Sequence, residues 1–343
     1  MIDTVRLVLR EYELNEPISF LEEVGARIKI DKHKSSGHKL VGWLDNMRIE
    51  IKERTLWIDG SLSKYANGHN VYGMKYEDIK GAIESLSNRL GVPLYEARVT
   101  RIDIAETFEM KEEVPLYLKR LMYLDGFNHN GFNPNCVYFL KDSKKKELQL
   151  CFYNKTKEII DEKGRRRNLI IDGQYDFLVK NKLLEAHLLR YELRILNVRK
   201  VFRHVIRCYD LFSADFYSDL VELWQDMYEK VGKRFDLKEN IEMQNWNGVS
   251  DLKRFCLEIC TISAYGEIKE MIEDAYRMGK EGKAKKMSLQ NKSNMLREMR
   301  KAKEVAEKKF ANDSLIEELN KKVDDTCKEQ VISLEMSNIS LLE

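Results

Sequence analysis

The chain changes its hydrophobic period near residue 200, and that change limits what it can fold into. Before it, apolar and polar residues alternate in short runs, the signature of strands with one buried face. Val5, Leu7 and Leu9 alternate with Arg6, Val8 and Arg10. Residues 47–58 hold two short strands, 97–105 one, and 186–196 another. Residues 137–140 and 148–153 flank the charged turn 142–147 and predict a hairpin. Two helices interrupt the strands. Ile79, Ile83, Leu86 and Leu90 share one face of a helix over 76–90, closed by Gly91 and Pro93. Pro115 opens a short helix over 115–124. All four prolines lie before residue 135, and the remainder reads as helix almost throughout. Phe212, Phe216, Leu220, Leu223 and Met227 form one stripe of a helix over 211–231, the spacing of a core face.

Composition removes several classes. No run of apolar residues is long enough to span a membrane. The first residues lack the charged, apolar and small-residue succession of a signal peptide. The six cysteines are scattered without a C-x-x-C, so reduced thiols in a cytoplasmic protein is the expectation. Cys256 and Cys260, four apart on a predicted helix, read as buried small hydrophobes rather than metal ligands. The 59 Lys and Arg against 57 Asp and Glu give a net charge of +2, which rules out a uniform polycation. The neutral total hides a basic segment, 280–310, with eleven Lys/Arg and four Glu, and an acidic tail, 311–343, with three Lys and eight acids.

The residues with chemical potential sit on the strands. Alternation puts Arg101 and Asp103 on one face of their strand, and Arg190, Glu192 and Arg194 on one face of theirs. If the strands are neighbours, Asp103 and Glu192 converge. Two carboxylates on a sheet suit Mg²⁺ or Mn²⁺, and the arginines suit phosphate oxygens. Taken alone, the pattern reads first as an ion-paired sheet face. Tyr153 ends a strand, with Lys155 and Lys157 just after it. A phenol beside a lysine and a metal can attack a phosphodiester once its proton is removed. By counting alone, one of 16 tyrosines is ordinary.

Order along the chain adds what each motif lacks. Met-Ile-Asp at the start is followed by the segment Gly60 to Gly73, by Thr100-Arg-Ile-Asp-Ile-Ala105, by Phe152-Tyr-Asn-Lys-Thr-Lys-Glu158 and by Leu189-Arg-Tyr-Glu-Leu-Arg-Ile195. Over roughly residues 1–200 this series resembles the filamentous-phage replication endonucleases among phage and plasmid replication initiators. Its Tyr-Asn-Lys and Arg-x-Glu elements are similar to those of the Rep_trans rolling-circle plasmid initiators. The resemblance implies a site-specific nicking-closing enzyme that starts rolling-circle replication. Tyr153 would be the nucleophile, forming a 5′-phosphotyrosine and leaving a 3′-hydroxyl. Lys155 would lie near the phosphate or phenolate, and Asp103 and Glu192 would hold the metal. His69 is a candidate third ligand or substrate contact, and its Gly-rich context equally suits a structural turn. Glu106 is a candidate ligand that reads first as a solvent-facing or helix-starting residue. The six histidines contain no His-hydrophobic-His pair, so the two-histidine metal cradle of many nickases is absent.

The expected fold is therefore α+β: a mostly antiparallel sheet with helices on one face and the site on the other. It makes up a catalytic domain over 1–200, followed by a helical region over 201–343. DNA contacts are expected from Arg101, Arg190, Arg194, Lys157, Arg165, Arg166 and Arg167, with Lys144 to Lys146 and segment 280–310 as further basic patches. Partners are origin DNA, with a host helicase and a second copy as further ones. Two rival readings remain: a non-catalytic origin-binding protein or repressor, and a helical adaptor built on the C-terminal half.

Overall fold

A computed structural model describes the chain apart from residues 15–18, 38, 130–132, 142–146, 166–172, 234–248, 284, 310–312 and 341–343. The charged turn with Lys144 to Lys146 lies largely outside the described residues, as do Arg166, Arg167 and the side chain of Arg165.

The strands are β1 (Ile2–Arg10), β2 (Lys29–Ile30), β3 (Lys39–Leu44), β4 (Met47–Lys52), β5 (Thr55–Ser61), β6 (Arg98–Met110), β7 (Leu121–Tyr123), β8 (Phe127–His129), β9 (Cys136–Lys141), β10 (Leu148–Asn154), β11 (His187–Ile195) and β12 (Gly232–Lys233). Ten of them form one antiparallel sheet in the order β2-β3-β4-β5-β1-β6-β11-β10-β9-β8. Its left half is a meander, with β3, β4 and β5 joined by two-residue turns. In the β4–β5 turn both Glu53 and Arg54 take positive φ, 48° and 62°, the geometry in which a two-residue hairpin follows the strand twist. No glycine announces that turn.

The helices are α1 (Phe20–Glu23), α2 (Leu62–Asn67), α3 (Tyr76–Leu90), α4 (Val114–Leu118), α5 (Lys155–Arg165), α6 (Gly173–Lys180), α7 (Val198–Phe202), α8 (Ala214–Glu229), α9 (Val249–Lys280), α10 (Leu289–Lys309) and α11 (Ser314–Ser340). Gly91 ends α3 at φ 71°, as its spacing predicts. The helix predicted from Pro115 is a single turn, and its last residues pass into β7.

One face of the sheet carries the core. Leu7, Ile102, Ile104, Leu193, Tyr191 and Phe152 project from it into a cluster with side chains of α3, α4, α8 and α11. Phe152 stacks on Tyr191 at 4.5 Å, and Tyr191 on Trp224 of α8 at 4.6 Å. The Tyr191 hydroxyl donates to the Trp224 carbonyl at 2.9 Å, so this aromatic floor is fixed in depth and direction.

The helices after residue 200 do not share one place. α8 and α11 complete the sheet's own core, with Leu319, Val323 and Cys327 buried beside Trp224 and Tyr228. Tyr217 donates to Gln330, Tyr228 to Asn320 and Tyr117 to Glu318. The segment that counts as an acidic tail is thus a packed helix. α9 and α10 form a hairpin with its own small cluster of Tyr265, Ile272 and Met299 against Tyr123. Cys256, expected to be buried, is exposed on α9. No helix among the described residues is long and apolar enough to cross a membrane.

Candidate active site

The other sheet face brings the polar residues of the central strands together. β11 lies between β6 and β10, so Arg194 pairs with Asp103, Glu192 with Ala105 and Cys151, and Arg190 with Thr107 and Tyr153. The convergence expected of Asp103 and Glu192 follows from this register.

Tyr153 is the last-but-one residue of β10, and Asn154 ends the strand. The Asn154 carboxamide accepts from the Lys157 N–H at 2.9 Å, which caps α5 and turns the chain just after the phenol. The Tyr153 hydroxyl donates to Glu192 Oε2 at 2.9 Å. Glu192 Oε1 accepts from Arg194 Nε at 2.6 Å, and Arg190 Nε stands 3.6 Å from Oε2. Arg101 grips both oxygens of Asp103, at 2.8 and 2.5 Å.

The electrostatics follow from these pairings. Burial alone would raise the Glu192 carboxyl, but the guanidinium groups of Arg194 and Arg190 bring it down to about 2. Burial, reinforced by the charge of Glu192, pushes Asp103 up to about 7 against the opposing pull of Arg101. Burial and the neighbouring Glu192 charge hold the Tyr153 phenol well above its ordinary value, with Arg190 opposing. Without DNA the phenol keeps its proton.

A second layer lies beneath. Arg190, expected on DNA, is completely buried, and its Nη1 and Nη2 atoms donate inside the protein. It reaches Asp3 at 2.6 Å, the Asn70 carbonyl at 2.7 Å and the Thr107 hydroxyl at 3.2 Å. Asp3 also accepts from Asn70 Nδ2 at 2.9 Å and from the Ser61 hydroxyl. Asn70 passes the connection on, accepting from Lys155 Nζ at 3.0 Å. Lys155, also fully buried, pairs with Glu158 at 2.8 Å and lies 5.9 Å over the Tyr153 ring. Burial lowers its ammonium from the ordinary lysine value.

Asp3 and Asn70 are the residues that alternation misses, whereas Ser61 and Thr107 share the site-face parity of Asp59 and Asp103. Asp3 shares the parity of Val5 and Leu7, which predicts a core-facing side chain. A bulge between Ile2 and Thr4, where β1 pairs with β6, turns it to the site face. Asn70 follows Gly68, whose φ of 74° ends α2 and reverses the chain toward β1.

The remaining expected residues take other places. Glu106 pairs with Tyr191, a core-face residue, and so stands on the sheet face opposite Asp103; strand alternation alone separates it from the carboxylate pair. His69 lies at 3.8 Å on the Phe177 ring, and its Nδ1 is buried without a hydrogen-bond partner among the described residues. Lys157 is exposed, and Arg101 and Arg194 are half-buried at the site mouth. The site face is not wholly open: α5 and α6 cover its β10–β11 end through Ile159, Leu178 and Leu188.

Among the described residues no three His, Cys, Asp or Glu side chains gather as a metal cluster. The Asp103–Glu192 pair is still a hard, all-oxygen donor set of the kind Mg²⁺ and Mn²⁺ take. Asp103 is raised to about 7 first by burial and then by the Glu192 charge, so a cation beside the pair would favour its ionised form. The pair fits a divalent cation whose other ligands are water.

A family model for the N-terminal part of a phage replication-associated protein matches residues 27–214, which takes in β6, β10 and β11 and most of their site residues. No curated protein matches the chain. Among solved structures, the rolling circle replication initiator protein from Geobacillus stearothermophilus is similar, with 11% identity and a TM-score of 0.34 over 67% of this chain and 84% of that one. The family match spans more than half of the chain, and the chain belongs to this family of phage-type replication-associated proteins.

Proposed function

We propose that this chain starts rolling-circle replication by nicking one DNA strand at an origin, with Tyr153 as nucleophile. The observation that carries the reading is the Tyr153 hydroxyl donating to Glu192 at 2.9 Å on a rigid central strand pair. Glu192 takes the phenolic proton. The phenolate oxygen bonds to phosphorus, the bond to the 3′ oxygen breaks, and that oxygen leaves with a proton from water. The product is a 5′-phosphotyrosine and a free 3′-hydroxyl. The reverse reaction rejoins the strand without ATP, because the ester retains the bond energy. A phosphate that engages Arg194 competes with Glu192 for that guanidinium and returns basicity to the carboxylate. Asp103 and Glu192 would hold Mg²⁺ or Mn²⁺, which would supply charge stabilisation at the phosphate. Lys155 and Arg190 are positioning residues that fix the strand end and the Glu192 side chain from below.

The test is incubation with Mn²⁺ or Mg²⁺ and a supercoiled plasmid carrying the chain's own origin. The expected product is a nicked circle with protein on its 5′ end. Equal nicking by Tyr153→Phe would remove Tyr153 from the role. Origin binding without any nicking would favour a non-catalytic origin-binding protein.

A further inference from the structure

The uncovered half of the site-bearing face has an order that the catalytic residues do not explain. Across five strands the register lines up Trp43, Arg48, Asp59, Arg6 and Arg101 in one row. The next row holds Glu50, Trp57, Val8 and Arg98. Arg6, Val8, Arg48, Glu50, Trp57, Asp59 and Thr100 line a groove of about 460 Å³. The row runs into the site, since Arg101 holds Asp103 and Arg194 stands beside Asp103 on the next strand. Tyr138 continues it on β9, opposite Cys151.

Two features give this surface a chemistry. Its guanidinium groups reach solvent: the side chains of Arg6 and Arg48 are 44% and 40% exposed, and those of Arg101 and Arg194 are 22% and 27%. Arg6 spends two donors on a single oxygen of Asp59, and Arg48 one on Glu50, so donors remain for a phosphate. Exposed ion pairs of this kind hold weakly and exchange partners at little cost. Trp43, 39% exposed, and the half-buried Trp57 are flat apolar surfaces between those cations. Guanidinium groups interleaved with aromatic rings suit a single nucleic-acid strand, whose phosphates and unpaired bases they engage separately. A duplex hides its bases and has no use for the indoles.

We infer that this half-sheet, from Trp43 and Trp57 through Arg48, Arg6, Arg101 and Arg194, is the track along which a single DNA strand is led to Tyr153. From β3 to β10 is six strand spacings, about 29 Å at ~4.8 Å each. That length takes up to about eight nucleotides at the 3.4 Å stacked rise, and fewer when the strand is extended. The track rests on the proposed role of Tyr153 for its destination, while strand binding is measurable without cleavage.

The experiment is fluorescence anisotropy of a labelled oligothymidylate against full-length chain carrying Tyr153→Phe, at several salt concentrations. Arg48→Ala, Arg6→Ala and Trp57→Ala are added singly. Each is expected to weaken binding fivefold or more, and each arginine change to lower the salt slope by about 0.7. Trp57→Phe, which keeps a stacking ring, is expected to stay close to the parent. Should Trp57→Ala not fold, the two arginine variants decide, because their side chains are half exposed. Unchanged binding in the arginine variants overturns the track. So does weakening of duplex binding that equals the weakening of strand binding. Loss of strand binding in these variants, together with an unsubstituted chain that never nicks its origin plasmid, leaves the track standing and removes the nucleophile instead.

Discussion

The Tyr153 hydroxyl and the Glu192 carboxylate meet at 2.9 Å across two adjacent antiparallel strands. Their Cα atoms are not opposite one another: Tyr153 faces Arg190, and Glu192 faces Cys151. The contact is diagonal, so it depends on the register of β10 against β11. Glu192→Gln keeps the shape and removes the proton acceptor. It is expected to slow nicking about 10²–10⁴-fold, the usual worth of a positioned base, while origin binding is retained. Single-turnover nicking assays with both variants, Tyr153→Phe and Glu192→Gln, read this directly.

Asp3 is the counter-charge of a guanidinium with no access to water. Asp3→Ala leaves Arg190 charged and buried with only Glu192, 3.6 Å from its Nε, as a carboxylate partner. The expected cost is about 3–5 kcal/mol of folding stability, visible as a lower urea midpoint. Asp3→Asn keeps one acceptor oxygen and is expected to lose less. Equal midpoints for Asp3→Ala and the parent would show that Glu192 alone balances Arg190.

A divalent cation held by Asp103 and Glu192 stabilises only the folded chain. Mg²⁺ or Mn²⁺ at a hundred times its dissociation constant is expected to add about 2.7 kcal/mol to unfolding. Asp103→Asn is expected to lose that increment. Melting curves with and without EDTA, on both chains, make the comparison; a metal-induced shift that survives in Asp103→Asn places the ion elsewhere.

His69 is held below its ordinary value, first by burial and then by the charge of Lys155. In the unfolded chain it titrates near 6.5. As pH falls through that value, the unfolded chain takes up the proton first, so the His69 contribution to stability is present above about 6.5 and lost below it. Asp103 works in the opposite sense, because its raised carboxyl binds a proton first when folded. The comparison is therefore with His69→Gln: its loss of stability between pH 7.5 and pH 5.5 is expected to be smaller than that of the parent. Equal losses would assign the effect to other groups.

α11 is part of the core, so a chain cut before Asp313 exposes Trp224, Tyr228 and their neighbours. At roughly 1.5–3 kcal/mol for each large apolar side chain buried, the loss on removing Ile316, Leu319 and Val323 is several kcal/mol. Denaturant midpoints and limited proteolysis of the two lengths are expected to separate them clearly. Similar midpoints would make α11 an independent appendage.

Much of the site was legible from alternation. The parity of residues 97–105 and 186–196 places Asp103, Arg190, Glu192 and Arg194 on coherent faces, and β6 and β11 are neighbours as that reading required. The same parity sends Glu106 to the far face, a consequence that proximity in sequence obscures. Asp3 was not legible, because a bulge reverses its side and bulges leave no fixed signature. The β4–β5 turn was marked only by the break between two alternating runs, since Glu53 and Arg54 adopt conformations that glycine or asparagine usually supplies. In α11 the acid count drew attention from the stripe of Ile316, Leu319, Val323 and Cys327, whose spacing is that of a buried helix face.

The buried Arg190 joins residues far apart in the order of synthesis. Its partner Asp3 precedes it by 187 positions, and the Tyr117–Glu318 contact spans 201. A ribosome that has made β1, β5 and β6 has not yet made the arginine that anchors Asp3, nor the carboxylate that accepts from Tyr153. A partial translation product therefore carries the tyrosine without its proton acceptor. The assembled site belongs to chains that have passed β11, and its full support to those that have reached α11.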